Sequence, residues 1–277
     1  TPHHTTPQCI VKNWKGESSH KPFVCPPSDD QCSQHSKILI SMVCNLAREG
    51  KVTEVVNNVT ADPSLISLKD SSGRTILHWS ACGGHLELVK ILIQKGCQPD
   101  EPDESGWTPL MIAVSAGRED VVAYLLDAGL PVNVQVVNST GQNCLHYAAS
   151  KNRLSIAKRL LLAGIQADSR DWGGNTPLHR AACQGHTDMV KLLLAGESLV
   201  GAPEGLKISK CSPNTSNSAG QTPLHNACEE GYAGIVRILL AAGGDLTIKD
   251  KDGKVPANLA PDDLRVAMHK DLKLPPP

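Results

Sequence analysis

The feature that most constrains this chain is its self-similarity. Thr-Pro-Leu-His stands at Thr176 to His179 and again at Thr222 to His225. Looser copies stand at Thr75 to His78, Thr108 to Met111 and Asn143 to His146. Thr75 to Thr108 is 33 residues, as is Asn143 to Thr176. Thr222 to Val255, where the last copy has decayed to Val-Pro-Ala-Asn, is again 33. A chain that repeats at such a period does not close around one core. Each unit buries its apolar face on its neighbours, so length no longer limits the fold.

The residues of one unit have clear local roles. The hydroxyl of Thr176 is placed to accept from a free amide at a helix start. Pro177 follows at the first helical position, where its missing N–H costs nothing. Leu178 enters the core. The His179 ring is placed to bond backbone in its own or the next unit. His78, His146, His179 and His225 therefore read as structural rather than catalytic. Gly84, Gly117, Gly185 and Gly231 separate the first helix of a unit from the second. Asn152 takes that place in the remaining unit, being the next best residue after Gly for left-handed backbone. Second helices such as Leu86 to Ile93 and Thr187 to Leu194 follow, with Gly96, Gly129, Gly164, Gly196 and Gly243 as their caps. Period and tetrapeptide together resemble the ankyrin repeat. The expected fold is all-α: an ankyrin-repeat solenoid of helix-turn-helix units with β-hairpin tips, about seven units counting the caps.

Residues 1–36 read as a disordered tail, polar and punctuated by Pro2, Pro7, Pro22, Pro26 and Pro27. The repeat domain spans 37–274. Its N-terminal cap is Lys37 to Arg48, with an apolar stripe of Ile38, Met42, Val43 and Leu46, followed by a helix over Val52 to Val59. A helix near Asp263 to Leu272 forms the C-terminal cap. Two spacings depart from the period. Thr108 to Asn143 is 35, which places about two added residues near Val136 to Thr140. Thr176 to Thr222 is 46, so about 13 are added within a loop over Glu197 to Ser218.

Composition excludes several classes. Apolar residues are 40% but aromatics only 3%, so the core is Leu, Ile, Val and Ala in small, closely packed helices. A net charge of −1 gives no field toward nucleic acid or anionic membrane, and neither is expected as a partner. No apolar run approaches the ~18 residues of a membrane span, and no apolar leader is visible. Most of the ten cysteines, Cys82, Cys144, Cys183 and Cys228 among them, fall inside helical patterns. Reduced thiols in cytoplasm and nucleus are the expectation. No phosphate loop, His-Glu-x-x-His or nucleophile elbow is present, so no catalysis and no cofactor are expected. His3, His4, Cys9, His20, Cys25, Cys32 and His35 match no paired-ligand spacing, and no metal is expected. A thiol- or metal-dependent sensor stands as a third reading.

Function is then sought in positions the repeat does not need. One row precedes each motif Thr: Arg74, Trp107, Gln142, Asn175, Gln221 and Lys254. A second row lies on the exposed side of the first helices: Trp79, Ile112, Tyr147, Arg180 and Asn226, with Ser115, Lys151, Gln184, Glu229 and Glu230 before the turn. The early and middle units carry aromatic and basic residues, and the end is acidic. Trp, Tyr and Arg are enriched at interface hot spots.

Beyond the generic repeat, several strings are specific. Met42 to Ala47, Arg74-Thr75 with Leu77-His78-Trp79, Gly106-Trp107, Ser115 to Arg118, and above all Leu145 to Arg153 resemble the gankyrin family of proteasome regulatory-particle assembly chaperones. The resemblance is read over about residues 37–272. It implies a concave face gripping the C-terminal domain of one ATPase subunit of the proteasome base, largely through ionic contacts. Arg74, Trp107, Arg118 and Lys151 match family contact positions, and Glu104 replaces a family acid. Ser72 stands where the family has an acid. The Leu-x-Cys-x-Glu motif for retinoblastoma-type pocket proteins is broken, since Asn226 replaces its Leu, so that partner is expected to bind weakly or not at all. The expected contact set is Arg74, Trp79, Glu104, Trp107, Ile112, Arg118, Tyr147, Lys151, Arg180, Glu229 and Glu230, on a monomer. The alternative is an adaptor or inhibitor of a cell-cycle kinase or transcription regulator.

Overall fold

A computed structural model describes the backbone of residues 29–196 and 209–272 and the side chains of 36–196 and 209–268. Its contacts divide the chain into two units, Thr1–Leu39 and Ile40–Pro277. Of the first, residues 29–39 are described and form the leading part of α1 (Asp29–Glu49). The remaining elements are α2 (Val52–Ala61), a 3-10 turn (Pro63–Ile66), α3 (Ile76–Gly83), α4 (Leu86–Gln94), α5 (Pro109–Ala116) and α6 (Glu119–Asp127). They continue with α7 (Cys144–Ser150), α8 (Leu154–Leu162), α9 (Pro177–Cys183), α10 (Thr187–Ala195), α11 (Pro223–Glu229), α12 (Ala233–Ala241), α13 (Pro256–Leu259) and α14 (Asp262–Leu272).

The helices pair as seven units. First helices touch first helices, α3 on α5, α5 on α7, α7 on α9, α9 on α11 and α11 on α13. Second helices do the same from α4 to α12, which gives two layers with the core between them. Leu77, Leu110, Leu145, Leu178 and Leu224 of the motif are at most 1% exposed. Full burial of such a side chain is worth about 1.5–3 kcal/mol.

The motif works as a double clamp. The backbone N–H of Thr176 donates to His179 Nδ1 at 3.1 Å, and His179 Nε2 reaches the Gln221 carbonyl of the next unit at 3.0 Å. Because Nδ1 accepts, Nε2 carries the proton, and the ring is neutral. The same pair of bonds recurs at His78 to Trp107 O (3.1 Å), His146 to Asn175 O (3.0 Å) and His225 to Lys254 O (3.2 Å). Burial lowers the pKa of all four rings, that of His179 to about 4. Asn152 is the one non-glycine residue with positive φ among those described, at 54°, as its place in the turn requires.

Five expectations change. The tips are turns, not β-hairpins, and no strand occurs among the described residues. Each tip gives its neighbour one backbone bond, such as Glu104 N to Ser72 O (3.2 Å) and Ser139 N to Ser105 O (2.8 Å), too few for a ladder. Residues 29–36 are helical rather than part of a disordered tail. Residues 1–28 lie outside the described residues. The buried stripe of the cap is Ile40, Val43, Cys44 and Ala47, while Met42 is 47% exposed. Both stripes have helical spacing, and packing selects between them. The tip Asn138 to Gly141 is regular, so the two added residues lie between Asp127 and Asn138.

The longer insertion is likewise narrower than expected. Cys211 donates its N–H to Leu193 O at 3.0 Å, just as Cys97 does to Leu92 O and Ile165 to Leu160 O, both at 3.0–3.1 Å. Cys211 is therefore back in the repeat register, and the insertion ends before it. Residues 197–208 lie outside the described residues.

Candidate protein-binding face

The tips are built by a row of Asp and Asn residues five positions before each motif Thr. Asp70 Oδ1 accepts from the N–H groups of Ser72 (2.8 Å) and Arg74 (3.0 Å). Asp103 does so from Ser105 (2.9 Å) and Trp107 (2.8 Å), and Asn138 from Thr140 (3.1 Å) and Gln142 (2.9 Å). Asp171, Asn217 and Asp250 repeat the pattern. This is an Asx turn, with a glycine three residues on at positive φ.

At four of these tips, one side-chain oxygen closes the turn and the other terminal atom, an oxygen in Asp or the Nδ2 of Asn138, fixes a side chain on the face. Trp79 Nε1 donates to Asp70 Oδ2 at 2.7 Å. Arg74 Nε donates to Asp103 Oδ2 at 3.0 Å, and its guanidinium lies 5.3 Å from the Trp79 ring centroid. Asn138 Nδ2 donates to the Tyr147 hydroxyl at 2.8 Å, and that hydroxyl donates to Gln142 Oε1 at 2.6 Å. Arg180 Nη2 donates to Asp171 Oδ2 at 2.5 Å. Burial pushes the Asp171 carboxyl up, but Arg180 and the Asn175 amide outweigh it and hold the pKa below the ordinary value. Trp107 and Tyr147 rings sit 4.4 Å apart. Arg74, Trp79, Tyr147 and Arg180 are thus locked before any partner arrives, which limits the entropy lost on binding.

Other expected contact residues fall elsewhere. Ile112 is 6% exposed and belongs to the core, because the stretch from Pro109 to Val114 on α5 is buried throughout. It is not a contact residue. Arg118 is exposed, but its Nε donates to the Cys82 carbonyl of the preceding unit at 2.9 Å, and its stem lies on Gly84. His85 to Arg48 O (2.9 Å) and His186 to Ser150 O (3.1 Å) occupy the same row. That row joins successive units. Lys151, Glu104, Glu229 and Glu230 are exposed, and Trp107 is half-buried.

The sequence reading passed over two things. The Asp/Asn-x-x-Gly row was legible as a period-matched signal. Trp172, 70% exposed, stands on a tip, with its indole N–H donating to Ser139 O at 2.9 Å. Its signal was a tryptophan between the turn Asp171 and Gly174.

The motif histidines and the buried cysteines are not poised for chemistry. The four motif rings are neutral and spent on backbone. Burial pushes Cys44, Cys97, Cys144 and Cys228 to about 12, so none is a thiolate at neutral pH. No group of metal-ligating side chains occurs among the described residues. The side chains of the N-terminal His and Cys residues lie outside them.

Comparison with known proteins gives the following. A profile described as "Ankyrin repeats (3 copies)" matches residues 41–136 and 130–202, and one described as "Ankyrin repeats (many copies)" matches 208–260. The "Probable 26S proteasome regulatory subunit p28" of Saccharomyces cerevisiae is 36% identical over 154 residues, 54% of this chain and 66% of that protein. The "26S proteasome non-ATPase regulatory subunit 10" of Rattus norvegicus is 46% identical over 68 residues, 24% of this chain and 29% of that protein. The "Nuclear factor NF-kappa-B p105 subunit" of Mus musculus is 37% identical over 134 residues, 47% of this chain and 14% of that protein. In each case the chain spans less than two thirds of the curated relative. The matched stretches are also shorter than the expected span of 37–272. The human ASB11 ankyrin repeat domain superposes with a TM-score of 0.70 at 22% identity, over 85% of this chain and 98% of that one, which speaks to fold alone.

Proposed function

Because this chain belongs to the ankyrin-repeat family, whose stacked units offer a ready-made face to another protein, we propose that it is an assembly chaperone of the proteasome regulatory particle. It holds the C-terminal domain of a base ATPase subunit against its tips and first helices, and it is not an enzyme. The observation that carries this reading is the similarity to two proteasome regulatory subunits, from yeast and rat, combined with a face of the matching character. Arg74, Trp79, Trp107, Tyr147, Lys151 and Arg180 supply a basic and aromatic middle, and Glu229 and Glu230 an acidic end.

Mechanism follows from preformed charge. The turn carboxylates hold Arg74 and Arg180 in place, so a partner with the opposite pattern meets a rigid template. Complementary charge sets register and raises the association rate more than it deepens affinity. Lys151 has no ion pair among the described residues and is free to make one. Raised salt weakens the complex. Binding is expected in cytoplasm and nucleus, with the chain as a monomer and pocket-protein binding weak because Asn226 breaks the motif.

Affinity capture from a cell extract, salt elution and mass identification test this. Recovery of a base ATPase subunit supports the proposal. The likeness to the p105 subunit supports a second reading, an adaptor for a transcription regulator. Recovery of such regulators without ATPase subunits favours that one.

A further inference from the structure

We propose that the tip carrying Trp172 is a docking anchor for an acidic segment of a protein partner that bears an aliphatic side chain. The inference rests on the reading of this face as protein-binding, and it names a residue and a partner chemistry that reading does not contain.

Trp172 is held as a preformed anchor. Its indole N–H is satisfied by Ser139 O at 2.9 Å, and its backbone N–H donates to Thr140 O at 3.0 Å. The ring rests on Gly141, where an added Cβ would come within 2.7 Å of Trp172 Cδ2. Yet 70% of the residue remains exposed. An aromatic with its polar atom satisfied, its position fixed and most of its surface in water has little to lose on binding and a large apolar area to bury. Val137, two residues before the Ser139 that Trp172 bonds, is 41% exposed.

The surrounding charge selects the partner. Arg170 is exposed on one side of the turn. Arg180 lies on the other, its side chain 38% exposed, with its Nε buried and without a hydrogen-bond partner among the described residues. The carboxylate between them, Asp171, is 3% exposed and already paired to Arg180. Asp168, whose carboxylate feels Arg170, is half-buried, so the charge most exposed to solvent at this tip is the Arg170 guanidinium, beside an apolar centre. Aromatic and basic groups also serve single-stranded nucleic acid, but a chain of net charge −1 with two guanidinium groups at one tip lacks the extended positive track that a backbone needs.

The test uses fluorescein-labelled peptides of about twelve residues, long enough when extended to cover several tips. Their repeats are Glu-Glu-Leu, Lys-Lys-Leu and Glu-Glu-Ser, with a thymidine oligonucleotide of equal length as a fourth probe. Each is titrated against the purified full chain by anisotropy. The Glu-Glu-Leu peptide is expected to bind about tenfold or more tightly than the other three, the scale of one hot-spot side chain. Trp172→Ala and Arg170→Glu each lower that affinity about tenfold, whereas Trp172→Phe keeps most of it. Circular dichroism confirms that each variant remains helical. No binding of the Glu-Glu-Leu peptide, equal binding of the Lys-Lys-Leu peptide or the oligonucleotide, or unchanged affinity in Trp172→Ala overturns the proposal. Peptide binding with no ATPase subunit recovered from extracts would instead sink the proteasome reading and leave this anchor standing.

Discussion

Replacing His179 by Ala should destabilise the chain at neutral pH far more than at pH 5. The ring is 1% exposed and accepts from the Thr176 amide at 3.1 Å while meeting Gln221 O at 3.0 Å. Removing it strands one buried donor and one buried acceptor, each worth about 1–3 kcal/mol, and leaves a void, so a loss of about 3–5 kcal/mol is expected at pH 7.5. Burial lowers the ring's pKa from 6.5 to about 4. The unfolded chain therefore takes up this proton before the folded one does. The stability that the neutral ring contributes is intact above 6.5 and drains away as pH falls toward 4. By pH 5 the wild type has given up about 2 kcal/mol of it, on the order of 1.4 kcal/mol per pH unit within the window. The variant has no such ring, so the gap between the two proteins should shrink by about 2 kcal/mol over that range. His78, His146 and His225 titrate in both proteins and largely cancel. Urea unfolding followed by circular dichroism at pH 7.5 and pH 5 reads the gap. A gap that stays constant or widens refutes the neutral-ring assignment.

Three further outcomes follow from the geometry. Asn152 sits at φ 54°, so Asn152→Val should cost about 1–2 kcal/mol while Asn152→Gly is neutral or slightly stabilising, read from urea midpoints. Gly141 and Gly129 both have positive φ, but a Cβ at Gly141 strikes Trp172, and one at Gly129 meets nothing within 4 Å. Gly141→Ala should therefore lose about 1–2 kcal/mol more than Gly129→Ala and shift the tryptophan emission, and equal losses would contradict the seat drawn for Trp172. Asp171→Asn keeps the turn acceptor and loses only the charge on Arg180, costing about 1 kcal/mol, whereas Asp171→Ala loses both and should cost about 2–3 kcal/mol by the same assay.

Much of this molecule was legible because a repeat prints the same physics several times. The clamp of Thr176 and His179 was readable as a structural pair from its recurrence, and Asn152 from its register with four glycines. What escaped depends on packing rather than pattern. Ile112 follows the motif just as Tyr147 and Arg180 do, and nothing local says that α5 is covered there. Arg118 entered the contact set through the resemblance alone, and nothing in its local sequence says that its Nε donates to the Cys82 carbonyl. Helix α1 carries two stripes of helical spacing that share Val43, and packing buries the less apolar one. The Asp/Asn row was printed at every tip and was missed because turn residues are easily dismissed as connectors, although they orient Arg74, Trp79, Tyr147 and Arg180.

The central claim is that charge fixed on this face grips a folded partner. Calorimetric titration of the purified chain with the C-terminal domain of the ATPase subunit recovered from extract tests it most directly, at low and high salt, for wild type and for Arg74→Glu with Lys151→Glu. Lys151→Glu alone serves as control, because Arg74 also pairs with Asp103. The account predicts salt-sensitive binding to the wild type, weaker binding to the single variant, and none to the double variant at unchanged helical content. Salt-independent binding, or a double variant that binds as the wild type does, would contradict it.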